Sequence, residues 1–211
     1  QDAIDSIVVD TSNTIYMSVN NYAVDSTINF KSEGDKGQSI TIETETDVVT
    51  QAGGTRIYRL VDDSSTPWTY SFSGNMFELT SKTSLSVHNV TIDGNGFETS
   101  GSPTTQAGTL FNVPNGAYLY LGESSGLNPK IPVIKNNFNS GDGGAITTAG
   151  ASIIYNANIY GNYSAQNGGA IAITGGITTL DSGSTIGYAK TEASDTDGNI
   201  DAGKGGAINI Y

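Results

Sequence analysis

Ile134-Lys-Asn-Asn137-Phe-Asn-Ser-Gly-Asp-Gly143-Gly144-Ala145-Ile146 and Ile159-Tyr-Gly-Asn162-Tyr-Ser-Ala-Gln-Asn-Gly168-Gly169-Ala170-Ile171 align without a gap. Thr196-Asp-Gly-Asn199-Ile-Asp-Ala-Gly-Lys-Gly205-Gly206-Ala207-Ile208 aligns with both. In each copy the Asn precedes the first Gly of the pair by six positions. A degenerate copy stands upstream: Thr91-Ile92-Asp93-Gly94-Asn95 opens it, and Ala107-Gly108-Thr109-Leu110 replaces Gly-Gly-Ala-Ile. Self-similarity of this kind is the signature of a solenoid, in which each unit buries its apolar face only against its neighbours.

The spacing is uneven. Gly108 to Gly144 is 36 residues, Gly144 to Gly169 is 25, and Gly169 to Gly206 is 37. A corner therefore recurs while the lengths elsewhere vary, as expected when loops grow outward from stacked coils. The shortest unit suits one coil of three short strands. Ala145-Ile146-Thr147, Ile153-Ile154-Tyr155, Ala170-Ile171-Ala172-Ile173 and Ala207-Ile208-Asn209-Ile210 read as strands. So do Phe77-Glu78-Leu79, Leu85-Ser86-Val87, Val90-Thr91-Ile92, Leu110-Phe111-Asn112-Val113 and Tyr118-Leu119-Tyr120-Leu121. Their period of two places one face inside and one in solvent, with Tyr118, Tyr120, Thr147 and Asn209 outward. No segment shows a capped helical period. The expected fold is all-β, a right-handed parallel β-helix. Residues 1–70 would form an N-terminal cap and opening coils, and 71–211 the further coils of one continuous domain.

The corner chemistry follows from residue type. Gly143, Gly144, Gly168, Gly169, Gly205 and Gly206 allow positive φ and close approach of the next coil's backbone. Asn tolerates the left-handed region and bonds nearby amides. Stacking would bring Asn95, Asn137, Asn162 and Asn199 into a ladder at about 4.8 Å per rung. These positions read as structural. The last strand runs into Tyr211 with no visible cap, so the chain would continue, or stack on another copy through the solenoid end.

Composition narrows the function. Charged residues are 14% of the chain, against about a quarter in ordinary domains, and 27 glycines fit a turn-rich β-protein. The net charge is −12, with only 9 Lys plus Arg. Nucleic-acid binding needs a basic footprint and finds none. No stretch reaches the roughly 18 apolar residues of a spanning helix, so no membrane insertion is expected. Gln1 opens without a signal-peptide pattern, so the chain reads as a mature product or an excised piece. The absence of Cys rules out disulfides but not secretion, because a continuous β-core needs no staple.

The segment Phe77 to Asn95, FELTSKTSLSVHNVTIDGN, resembles a coil found in many right-handed β-helix proteins. The Gly-Gly-Ala-Ile corners, with a preceding Ile-x-x-Asn, resemble those of polymorphic outer-membrane proteins and adhesin-like surface proteins of gut microbes. The likeness covers roughly residues 76–211. It implies a secreted or cell-surface adhesin or fibre module, non-enzymatic, attaching to a host or microbial surface glycan or protein, or to itself.

The competing class is a polysaccharide-cleaving β-helix enzyme, which needs convergent carboxylates. Asp93 and Asp142 are the pair the sequence offers, although Asp-Gly-Asn reads first as a turn. His88 falls on the outward side of its strand. Asp195, Asp197 and Asp201 alternate around Gly198 and are the candidate Ca²⁺ ligands, but they lack the terminal Glu of an EF-hand loop and read first as an acidic surface loop. No other cofactor is implied. Exposed aromatics offer flat faces for contact: Trp68, Tyr118, Tyr120, Tyr155 and Tyr160 are the candidates.

Overall fold

The computed structural model describes residues 12–18, 21–45, 55–62, 69–96, 107–123, 130–181, 183–187, 199–201 and 206–211. Everything regular in them is β. Three parallel sheets of six strands carry the architecture. Sheet A contains Ser12–Met17, Ser39–Thr44, Ser84–His88, Tyr118–Leu121, Ala151–Ile154 and Ile177–Leu180. Sheet B contains Asn21–Val24, Thr55–Arg59, Val90–Asp93, Val133–Lys135, Asn158–Tyr160 and Thr185–Ile186. Sheet C contains Ile28–Asn29, Phe77–Glu78, Phe111–Val113, Ile146–Thr148, Ile171–Ile173 and Ile208–Ile210. The chain visits A, B and C in turn and then returns to A one rung further on, so every partner in a sheet comes from the next circuit. This parallel stacking fits a parallel β-helix.

A shorter fourth sheet joins Phe138–Asn139, Tyr163–Ser164 and Ile200–Asp201 between B and C. It is built from the residues just after the repeated Asn, so the motif marks the corner where a coil leaves sheet B. Two hairpins project between rungs. Ser32–Glu33 pairs with Lys36–Gly37 around a turn at Gly34 and Asp35, and Val61–Asp62 pairs with Thr69–Tyr70.

The alternating pattern sends one side of each sheet inward. Ile40, Leu85 and Leu119 are rung neighbours in sheet A and are buried. Ile57, Ile92, Ile134 and Ile159 do the same in sheet B. In sheet C, Phe77 and Phe111 stack on successive rungs with ring centroids 5.2 Å apart, and Ile146 and Ile171 continue the column. Each such side chain removed from water stabilises the fold by about 1.5–3 kcal/mol.

Polar side chains are buried too, and Arg59 is the largest of them. Arg59 is fully buried, and burial lowers its pKa to about 10, partly offset by Tyr70. Its guanidinium donates to the Gly74 carbonyl at 2.7 Å and lies over the Phe72 ring at 4.4 Å. Carbonyls and a π-face replace water around the charge, and the guanidinium ties the second hairpin to the stack.

Candidate functional site

At the repeated corner, the ladder runs through three of the four asparagines. Asn162 Oδ1 accepts from the Asn137 amide at 3.2 Å, and Asn199 Oδ1 accepts from the Asn162 amide at 3.1 Å. Asn162 Nδ2 donates to the carbonyls of Ile134 and Tyr160, and Asn137 Nδ2 donates to those of Gly108 and Gly144. Asn137 and Asn162 are fully buried. Their amides satisfy backbone groups that a turning chain leaves without strand partners.

Asn95 sits out of step. Asp93 pairs with Lys135, yet Gly96 N donates to Asn136 O, so the upstream coil carries one extra residue there. It is Gly94 that faces Asn137: a Cβ at Gly94 would lie 2.6 Å from Asn137 Oδ1. The Asn95 side chain turns to the preceding coil, accepting from Arg56 Nη2 and donating to the Arg59 carbonyl.

The glycine pairs divide the work at the corner. Gly143 and Gly168 have positive φ, at 71° and 68°. Gly144 does not, but a Cβ there would run into the Gly169 carbonyl of the next coil. In the terminal copy Gly206 has positive φ, and Gly205 lies outside the described residues.

The two candidate carboxylates have separate surroundings. Asp93, in sheet B, is fully buried. Arg56 Nε approaches it at 3.1 Å, Lys135 Nζ at 3.4 Å, and the Asn95 amide donates to it at 2.8 Å. Asp142 stands in the loop before Ile146–Thr148 and accepts from the amide and side chain of Asn167, which also donates to the Tyr211 hydroxyl. Both carboxylates are held by neighbouring coils, as rung-to-rung ties.

Trp68, Asp195 and Asp197 lie outside the described residues. Asp201 is in the fourth sheet, and its side chain is likewise outside them. Among the described residues no group of three His, Asp or Glu is placed to hold a metal ion.

The aromatic candidates part company. Tyr160 is on the outer face of sheet B, one rung from Lys135. Tyr118 and Tyr120 are on the outer face of sheet A, their rings nearly parallel with centroids 6.5 Å apart. Tyr118 is 44% exposed, enough to offer a ring face to a partner. Tyr155 follows the next strand of the same sheet. Beside Tyr118, stacked Gly116, Gly150 and Gly176 floor a shallow groove walled by Tyr118 and Ile177.

Register defines the rest of that face. One row reads Thr14, Thr41, Ser86, Tyr120, Ile153 and Thr179 from rung to rung. Another begins Ser12, Ser39 and Ser84, with Ser84 donating to Ser39 at 2.7 Å, before Tyr118. A third opens with exposed Tyr16, then Glu43, then His88.

Glu43 and His88 belong to a cluster that the sequence does not announce. Lys130 Nζ lies 2.8 Å from Glu43 Oε1 and 3.3 Å from Glu123 Oε1. His88 Nδ1 is 3.7 Å from Glu43 and 3.6 Å from Glu123, beyond hydrogen-bond length, and is a buried atom with no hydrogen-bond partner. The four residues come from three successive coils. Burial lowers the His88 pKa, with Lys130 acting the same way and the two glutamates opposing. For Lys130 burial acts downward, but its hydrogen bonds to Glu43 and Glu123 prevail and raise its pKa.

A pH response follows. Since His88's folded pKa lies below its unfolded one, the stability it contributes is present above the ordinary histidine pKa and is lost as pH falls below it. Between about pH 8 and about pH 5, either side of that value, the melting temperature of the wild type should fall further than that of His88→Gln. Parallel melting curves for the two proteins would refute this.

No protein-family model matches the chain, and comparison with characterised proteins and with solved structures finds no significant similarity.

Proposed function

We propose that this chain is a length of right-handed parallel β-helix acting as a non-enzymatic adhesin or fibre module at a cell surface or after secretion. Its outer sheet A face contacts a glycan. Residues 1–70 supply the cap and opening coils, and 71–211 the further coils. The handedness rests on the general rule that crossovers between parallel strands are right-handed.

The observation that carries the binding reading is the outward Tyr118–Tyr120 pair beside the glycine-floored groove. Parallel aromatic faces bury the apolar face of a sugar ring, and the neighbouring Ser and Thr hydroxyls meet its hydroxyl groups.

A second reading is a polysaccharide-cleaving enzyme. Glu43 and Glu123, close enough to share one ammonium, are the carboxylate pair that favours it, in place of Asp93 and Asp142.

The test is binding to immobilised oligosaccharides by the wild type and by Tyr118→Ala/Tyr120→Ala. The double variant should fold normally, because both side chains face outward, and should lose at least about tenfold in affinity, or about 1.4 kcal/mol. Unchanged binding by the variant, or no binding by the wild type, would overturn the glycan contact. Release of new reducing ends, abolished by Glu43→Gln, would replace it with the enzyme.

A further inference from the structure

We infer that the glycan taken by sheet A is an uncharged, hydroxyl-rich polymer lying along the stacking direction, and that uronate and sulfated chains are rejected. The inference rests on sheet A being a glycan-contacting face and adds the substrate class. Its basis is the charge inventory of that face. The three outward rows contain Ser, Thr, Tyr, Ala, Ile and Gly, with Glu43, His88 and Asp181 as the titrating exceptions besides tyrosine, and no Lys or Arg.

Lys130 reaches the face from the segment before Val133–Lys135, and its ammonium is held by both Glu43 and Glu123. Lys82, at the nearby corner, is held by Asp35 and the Gly34 carbonyl. Arg56 and Lys135, which could pair with an anion, lie on sheet B and are turned to Asp93. A carboxylate or sulfate brought to sheet A would give up hydration and meet two glutamates in a chain of net charge −12. An amino sugar would have to compete with Lys130 for the carboxylates. A neutral sugar meets neither cost.

The direction follows from the rows. Thr14, Thr41, Ser86 and Tyr120 repeat at about 4.8 Å per rung, a rise comparable with one sugar residue in an extended chain. Successive hydroxyls can therefore meet successive rungs.

The experiment is calorimetric titration of the full chain with hexamers of glucose, mannose and galactose, and with hexamers of galacturonate and of glucosamine. At least one neutral hexamer should bind, more tightly than its dimer, and Tyr118→Ala/Tyr120→Ala should abolish the heat. Galacturonate should bind at least tenfold more weakly, and Glu123→Gln should narrow that gap severalfold. Equal or tighter binding of galacturonate or glucosamine, lost in the tyrosine double variant, overturns the substrate class while leaving the glycan face standing. Neutral binding that does not strengthen from dimer to hexamer overturns the direction. No binding by any hexamer overturns this inference together with the reading on which it rests.

Discussion

Asn162→Ala should destabilise the protein by about 3–5 kcal/mol, which is most of the margin of many domains. The side chain is fully buried. Its Oδ1 holds the Asn137 amide, and its Nδ2 serves the Ile134 and Tyr160 carbonyls and Asn199 Oδ1. Alanine leaves these groups without that partner in a site closed to water, at about 1–3 kcal/mol for each buried group left unsatisfied, and adds a small cavity. Asn199→Ala should cost less, because Asn199 is only half-buried and lies nearer the end of the described ladder. Denaturant midpoints at unchanged slope would measure both losses. A loss at Asn162 below about 1 kcal/mol, the net worth of one ordinary hydrogen bond, would mean that the ladder is not a main support of the stack.

Gly144→Ala should cost at least about 3 kcal/mol, beyond the usual range for added bulk in a packed core, while Gly141→Ala, three positions away, should be nearly silent. The contrast isolates spacing between coils. A Cβ at Gly144 would collide with the Gly169 carbonyl and lie 2.9 Å from that of Tyr163, both backbone atoms of the next circuit. Neither can rotate aside, so two rungs would have to separate. At Gly141 the nearest atom is Asn139 Oδ1 at 3.7 Å, an ordinary contact. Gly144 has no positive φ to relieve, so its glycine requirement is one of space. Thermal melts of the two variants would decide the matter, and similar losses in both would refute close backbone approach as the reason for the paired glycines.

These two residues also show what could be read before folding. Asn162 and Gly144 stood out because they recur at fixed offsets, and a recurring corner is a local property. The alternating strands were legible for the same reason: a period of two marks an inward side whatever the partner. Asn95 did not follow, since one extra residue after Asp93 shifts Gly94 against Asn137. A slip of that size cannot be seen in a copy whose neighbouring linker also differs in length.

The outer face was legible only in part. Tyr118 and Tyr120 alternate outward within one strand, so their pairing was local. Glu43, His88, Glu123 and Lys130 share no motif. They meet because Glu43 and His88 are rung partners in sheet A and because Glu123 and Lys130 lie beside them.

By itself, then, the sequence determined the repeated corner, the alternating strands and the sparsely charged, turn-rich composition that commits the chain to stacking. The tertiary structure alone decided which residues of different coils stand side by side. The physical reason is that backbone hydrogen bonding sets the register between rungs, while loops of unequal length set the distance along the chain. Side chains far apart in sequence are thereby brought to successive rungs at a spacing that no sequence interval records.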